Sequence, residues 1–393
     1  MAHTYDFDSV IDRKGTASIK WDEADRIFGG KDLMPLWVAD MDFQVPIEIT
    51  EALKKRIGHG IYGYTASSNS YLSSVQKWMS DRHHWPVEKE WICHSPGIVT
   101  ALNLIVDGFT EEGDKVLIQP PIYPPFSKAV LNQNRQLVTN PLIYSNGRYT
   151  MDFSDLENKL SDPKVTLMIL CSPHNPVGRV WTKQELATVA ELALKYDVLV
   201  VSDEIHSDLV FQGHKHVPFA TLSETAAAHS IVCTAPSKTF NLAELQISNI
   251  IIPDPALRKR YKKQVSRFSL SEPNSLGAVA AEAAYSYGSE WLEQCLEYIR
   301  QNADFVSNYL QKHIPDLNMV PLEGTYLGWI DCRHLGWDKI KLQRFFLHDA
   351  KIALNQGYTF GVEGEGFVRI NLACPRWLLK DALNRLQTAL EQE

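Results

Sequence analysis

The run Ile231-Val232-Cys233-Thr234-Ala235-Pro236-Ser237-Lys238-Thr239-Phe240-Asn241 decides how the rest of the chain is read. Its first four residues form a short apolar stretch that suits a buried strand. A lysine then stands just past the strand end, beside a serine. A lysine so placed can condense with an aldehyde cofactor to form a Schiff base. Alone, a Ser-Lys pair is usually solvated surface. Two other apolar runs end in residues that such a cofactor needs. Val165 to Leu170 leads into Cys171-Ser172-Pro173-His174-Asn175-Pro176-Val177-Gly178, and Val198 to Ser202 leads into Asp203-Glu204-Ile205-His206.

Working outward, helical and extended patterns alternate from about Ile92. Residues 97–109 read as a helix, 115–119 as a strand, 126–132 as a helix and 135–140 as extended. Thr182 to Tyr196 carries Leu186, Val189, Ala190, Ala193 and Leu194 at helical spacing, with Thr182 and Glu185 placed as a capping box. Short continuous apolar runs at 198–202, 230–234 and 247–252 suit strands buried on both faces, so the expected fold is α/β with a mostly parallel sheet covered by helices. After about Leu276 the pattern changes. A helical stretch from 278 to 313, broken near Gly288, precedes a strand (325–331), a helix (340–351), a strand (367–372) and a last helix (377–391). Residues 46–285 are therefore assigned to a large domain, and 1–45 with 286–393 to a smaller α+β domain.

The 393 residues carry 39 Lys and Arg against 47 Asp and Glu, a net charge of −8. That balance, with no basic tract, argues against nucleic-acid binding. No apolar run reaches the length of a membrane span, and the first residues have neither a cationic nor an apolar signal region. No room is expected for an N-terminal DNA-binding domain. The six cysteines show no CxxC spacing, so no metal site is expected. They read as buried free thiols in a reducing compartment, and the protein is expected to be cytoplasmic.

In open α/β sheets ligands bind beyond the carboxyl ends of strands, where Asn175, Asp203 and Lys238 all fall. Pyridoxal 5'-phosphate asks for a lysine, an acid at the pyridine nitrogen, donors to the phenolate oxygen and a phosphate cradle. Lys238 supplies the amine and, once freed, a base for the Cα proton. Asp203 supplies the acid, and Asn175 and His206 the phenolate donors. Ser95-Pro96-Gly97-Ile98-Val99-Thr100 opens a helix, and the amides of Ile98 and Val99, with the Ser237 hydroxyl opposite, make the cradle. Tyr123, in Gln119-Pro120-Pro121-Ile122-Tyr123-Pro124-Pro125-Phe126, follows another strand end and can stack on the ring.

With these residues in place, the chain resembles the fold-type I pyridoxal-phosphate enzymes of the aspartate aminotransferase superfamily, class I/II. Within them it is most similar to the C–S lyase branch, cystathionine β-lyases of the MalY/PatB kind. The likeness runs through Trp37-Val38-Ala39-Asp40-Met41-Asp42-Phe43, Tyr62-Gly63-Tyr64-Thr65, Arg82-His83-His84-Trp85, the motifs quoted above, and Val368-Arg369-Ile370-Asn371. It implies a homodimer in which Tyr64 reaches the partner's cofactor phosphate. It also implies that Arg369 clamps the substrate α-carboxylate, helped by Asn175 and by main-chain N–H groups near Ala39 and Asp40. Lys238, Tyr123 and Arg369 are then the catalytic residues.

His206, where transaminases often have tyrosine, and Gln246, where many members have arginine, favour the lyase branch. Glu244 departs from it, standing where that branch has glycine. The expected reaction is α,β-elimination on L-cystathionine or L-cysteine-type substrates. The alternatives are a transaminase using the same residues and a regulatory protein that uses the same fold as a binding surface.

Overall fold

The computed structural model describes residues 4–393, so residues 1–3 of the expected small domain lie outside the described residues. A seven-stranded sheet organises the first two thirds of the chain. Its strands are β1 (Ile92–Ser95), β2 (Lys115–Ile118), β3 (Gln136–Thr139), β4 (Val165–Cys171), β5 (Leu199–Asp203), β6 (Ser230–Thr234) and β7 (Ser248–Ile251), in the spatial order β1-β7-β6-β5-β4-β2-β3. From β6 through β3 all neighbours are parallel, while β7 runs antiparallel to both β6 and β1. The expected α/β architecture is thus present. The reversal of β7 puts its first residues, the end of β1 and the ends of β4, β5 and β6 on one edge of the sheet.

Helices cover both faces, as the unbroken apolar strands require. In β4, Leu167, Ile169 and Cys171 pack into a cluster that includes Ile98, Leu102 and Ile105, whereas Met168 and Leu170 pack on the other face with Leu186, Val189 and Ala193. The helix Lys183–Lys195 starts with the expected capping box: Thr182 Oγ1 accepts from the Glu185 amide at 3.2 Å, and Glu185 accepts from the Thr182 amide at 2.8 Å.

Helices Ser275–Tyr287 and Ser289–His313, separated at Gly288, lead to a four-stranded antiparallel sheet. At its centre Leu327–Asp331 pairs with Phe367–Asn371. The N-terminal segment joins this part of the molecule, since Met34–Pro35 pairs in parallel with Ile352–Ala353. The assigned boundaries fall at Pro46, which caps the helix Ile47–Gly58, and in the last turn of Ser275–Tyr287.

One expected element differs. The helix read over 340–351 is α-helical only over Lys339–Arg344 and widens to a π turn over Phe345–Asp349. Phe345, Phe346 and Leu347 are all buried there, and the Ala350 amide reaches back five residues to the Phe345 carbonyl at 2.9 Å. A regular α-helix turns about 100° per residue and would direct one of three consecutive apolar side chains away from the core.

Candidate active site

A cavity of about 300 Å³ opens at the shared edge of the sheet. Its wall includes Gly97, Ile98 and Val99 after β1, Tyr123 after β2, Asn175 after β4, Asp203 and His206 at and beyond the end of β5, Ser237 and Lys238 after β6, and Ala39 from the N-terminal segment. Most of the residues singled out from sequence thus meet in one place. Arg369 arrives from the smaller sheet, paired in register with Trp329 and Asn355. Its Nη1 donates to Asn175 Oδ1 at 2.9 Å, which joins the two parts of the molecule at the cavity.

Tyr64 is elsewhere. It stands fully exposed in residues 59–68, which form no regular structure and end at Ser68, the cap of the helix Asn69–His83. Asp40 does not line the cavity either. Its carboxylate is paired with Arg13 at 2.6 Å and Lys20 at 3.4 Å. Glu244 is exposed in the short turn Ala243–Leu245, so this departure from the lyase pattern points to solvent.

The electrostatics follow from burial. Asp203 accepts the Ile205 amide at 3.1 Å and has no cation in hydrogen-bond contact, so desolvation pushes its carboxyl up to about 7. Lys238 is pushed the other way, down to about 8, by burial and then by the positive charge of Arg369, against the pull of Asp40 and Asp203. Its Nζ donates to the Ala39 carbonyl at 2.7 Å. His206 is held well below its ordinary value by burial, Lys238 and Arg369, and therefore stands neutral. The Tyr123 hydroxyl is raised, chiefly by burial.

Sequence reasoning did not foresee how residues 37–40 are held. Their four successive carbonyls all accept from site side chains: Trp37 from Arg369 at 3.1 Å, Val38 and Asp40 from Asn371 at 2.6 and 2.5 Å, and Ala39 from both Lys238 and the Tyr326 hydroxyl at 2.8 Å. Tyr326 was also missed. It is buried and packs edge-on to His206 with ring centroids 6.1 Å apart. Nothing in its local sequence marks it, because Ala39 and His206, the site residues its side chain meets, lie more than a hundred residues away.

The residues fit pyridoxal 5'-phosphate on two structural grounds. Asp203 is a buried carboxylate lacking a cation, which suits a protonated pyridine nitrogen. The helix Ile98–Phe109 begins at Gly97 with no side-chain cap, and a Cβ at Gly97 would meet nothing within 4 Å, so its first amides face space that an anion can take. Apart from these, the Nε of Arg369 is buried and without a hydrogen-bond partner. Among the described residues no group of His, Cys, Asp and Glu is arranged to hold a metal.

Comparison with known proteins agrees with this geometry. The family described as aminotransferase class I and II matches residues 31–386. Cystathionine beta-lyase PatB of Bacillus subtilis is 47% identical over 384 residues, which cover 98% of this chain and 99% of that protein. Cystalysin of Treponema denticola, solved with a pyridoxal 5'-phosphate cofactor, superposes with a TM-score of 0.96 at 41% identity, covering 99% of this chain and all of that one. The pyridoxal-phosphate-bound C-S lyase of Staphylococcus hominis gives 0.91 at 33% identity, with 99% of each chain covered.

Proposed function

The chain belongs to the class I and II aminotransferase family, and from that premise we propose that it is a pyridoxal 5'-phosphate-dependent C–S β-lyase. It converts L-cystathionine or an L-cysteine-type substrate and water into pyruvate, ammonia and a thiol, by α,β-elimination followed by hydrolysis. The observation that carries this reading is the meeting of Lys238, Asp203 and Asn175 at one cavity, with buried Arg369 hydrogen-bonded to Asn175 behind its wall. The names of the relatives choose elimination over transamination within the family.

When bound, the cofactor supplies an aldehyde for amine capture and a ring that withdraws electrons from Cα. The chain's own residues do the rest. Ile98 and Val99 amides, with Ser237, would hold the phosphate. Asp203 would pair with the ring nitrogen, a facing cation offsetting its desolvation cost. Asn175 and neutral His206 would serve the phenolate oxygen, and Tyr123 would pack against the ring. Arg369 would take the α-carboxylate and so orient the substrate's Cα bonds. Lys238 Nζ takes the Cα proton, and the departing thiolate is protonated by Lys238 or a nearby tyrosine. The Ala39 carbonyl holds the lysine between these steps.

The functional unit we propose is a homodimer. Ile57, Ile61, Tyr62, Tyr64 and Tyr287 are all exposed, five large apolar side chains in two stretches of one chain. The helices Ile47–Gly58 and Ser275–Tyr287, which border those stretches, also line a shared groove. A second copy placed here would bury them and bring Tyr64 to the partner's phosphate cradle. Among the described residues no helix is long and apolar enough to cross a membrane, and all six cysteines are free and buried. Both features support a cytoplasmic location.

The test is pyruvate release from L-cystathionine by cofactor-loaded protein, with and without an added keto acid. Pyruvate without the keto acid is expected. Amino-group transfer that appears only when a keto acid is supplied would reassign the protein to the transaminases.

A further inference from the structure

We infer that Glu323, which touches neither Asn175 nor Arg369 directly, is a positioning residue that sets the Asn175–Arg369 pair for carboxylate binding. This rests on the reading of Arg369 as the carboxylate clamp. Glu323 is buried in the segment that leads into the strand Leu327–Asp331. Its Oε2 accepts from Arg179 Nε and from the Val180 amide, each at 2.9 Å, and its Oε1 accepts from Arg148 Nη2 at 3.0 Å. The main chain repeats the grip. The amides of Glu323 and Gly324 donate to the Gly178 carbonyl at 3.0 and 3.1 Å. On the other side the Glu323 carbonyl accepts from the Phe211 amide at 3.1 Å, and the Thr325 amide donates to Leu209 at 2.7 Å.

The Gly178 loop is the one that carries Asn175. It is closed on itself by the His174 amide on the Arg179 carbonyl and the Gly178 amide on the His174 carbonyl, both at 2.8 Å. A displacement at Arg179 therefore moves Asn175 with it. Gly178 sits at φ +72°, and a Cβ there would lie 2.4 Å from Leu322, next to Glu323, so the two segments approach closely. Arg179 is buried and also holds Glu185 and the Tyr149 carbonyl, so it cannot follow Glu323 freely.

Glu323 is tied to Arg369 as well. The strand that follows Glu323 pairs Trp329 with Arg369. One carboxylate thus anchors the loop of the acceptor, Asn175, and the chain leading to the strand that registers the donor, Arg369. Their 2.9 Å contact engages Nη1, while Arg369 Nε is buried and has no hydrogen-bond partner. Removing the charge of Glu323 leaves Arg179 and Arg148 facing a neutral group. The loop can then shift relative to the small sheet.

A double-mutant cycle tests this through binding of L-alanine, which has no β-leaving group, to cofactor-loaded protein by calorimetry. Glu323→Gln is expected to weaken the Kd by about tenfold, the scale of one charge-assisted hydrogen bond. Asn175→Ala should weaken it too, and Glu323→Gln should add nothing further in that background. Glu323→Asp should restore part of the loss. The melting temperature of the cofactor-free protein reports folding separately. If Glu323→Gln does not fold, Arg179→Lys, which keeps the charge and loses the fork, replaces it in the same cycle. Additive losses would overturn the inference, as would an unchanged Kd or a wild-type protein that does not bind L-alanine. Pyruvate release by the wild type is measured apart, so failure of the lyase reading and failure of this inference remain distinguishable.

Discussion

Lys238 and Asp203 share one buried space, yet burial moves them in opposite directions along the pH scale, and each shift has a measurable consequence. Only the neutral form of an amine attacks an aldehyde. With Lys238 lowered to about 8, a usable neutral fraction exists near physiological pH. The rate of covalent cofactor attachment to the apoprotein should therefore rise with pH and level off above about 8. A midpoint near the ordinary lysine value would show that the amine is not buried as described. Lys238→Ala should still take up cofactor, lack any borohydride-fixed adduct and release no pyruvate. For Asp203 the sign is reversed. Its pKa in the folded protein stands above the ordinary 3.8, so its contribution to stability is fully present below the unfolded value and is lost as pH rises toward 7. Asp203→Asn should thus raise the melting temperature of the apoprotein at pH 8, leave it little changed near pH 4, and abolish turnover. A variant less stable than wild type at pH 8 would contradict a strained, unpaired carboxylate.

Strands and helices supply these residues by simple periodicity, and that is why much of the site is legible in the sequence. Lys238, Asp203 and Asn175 each follow an unbroken apolar run, and a strand end is where such a run stops. Thr182 and Glu185 announce a helix start by spacing alone. What stays hidden are contacts between distant segments. Asn371 is two residues beyond Arg369 on one strand and so shares its face. In the sequence it is merely the end of Val368-Arg369-Ile370-Asn371. In the folded chain it holds two carbonyls of the 37–40 run, while Arg369 holds a third. Tyr326, Lys20 and Glu323 were illegible for the same reason, since their partners are 20 to 287 residues away. Asn371→Ala removes both hydrogen bonds to the 37–40 run, worth about 1 kcal/mol each, along with the acceptor of the Ala373 amide, and the loss should fall on substrate binding, because the loosened run borders the proposed Arg369 clamp. The expected result is a raised KM with kcat nearly unchanged. A fall in kcat at constant KM would place the 37–40 run on the path of the lysine proton instead.

The whole molecule leaves one expected participant unused within a single chain. Tyr64 is exposed, as are Ile61 and Tyr62 beside it, and large apolar residues left in water in this density mark a surface that meets another protein. A closed twofold dimer uses the same patch on both subunits, so each copy can both donate Tyr64 and receive its partner's. Two ways of disabling the protein are then complementary. Lys238→Ala destroys the receiving site and leaves Tyr64 intact. In the proposed dimer, Tyr64→Ala should weaken cofactor binding at the partner and leave its own Lys238 intact. In a hybrid of the two, one site has both defects and the other has neither. Mixing the two variants under conditions that exchange subunits should therefore restore pyruvate release well above that of either variant alone. The gain should follow the hybrid fraction measured by native mass spectrometry. If hybrids form and no activity returns, Tyr64 acts within its own chain or not at all, and the exposed segment needs another explanation.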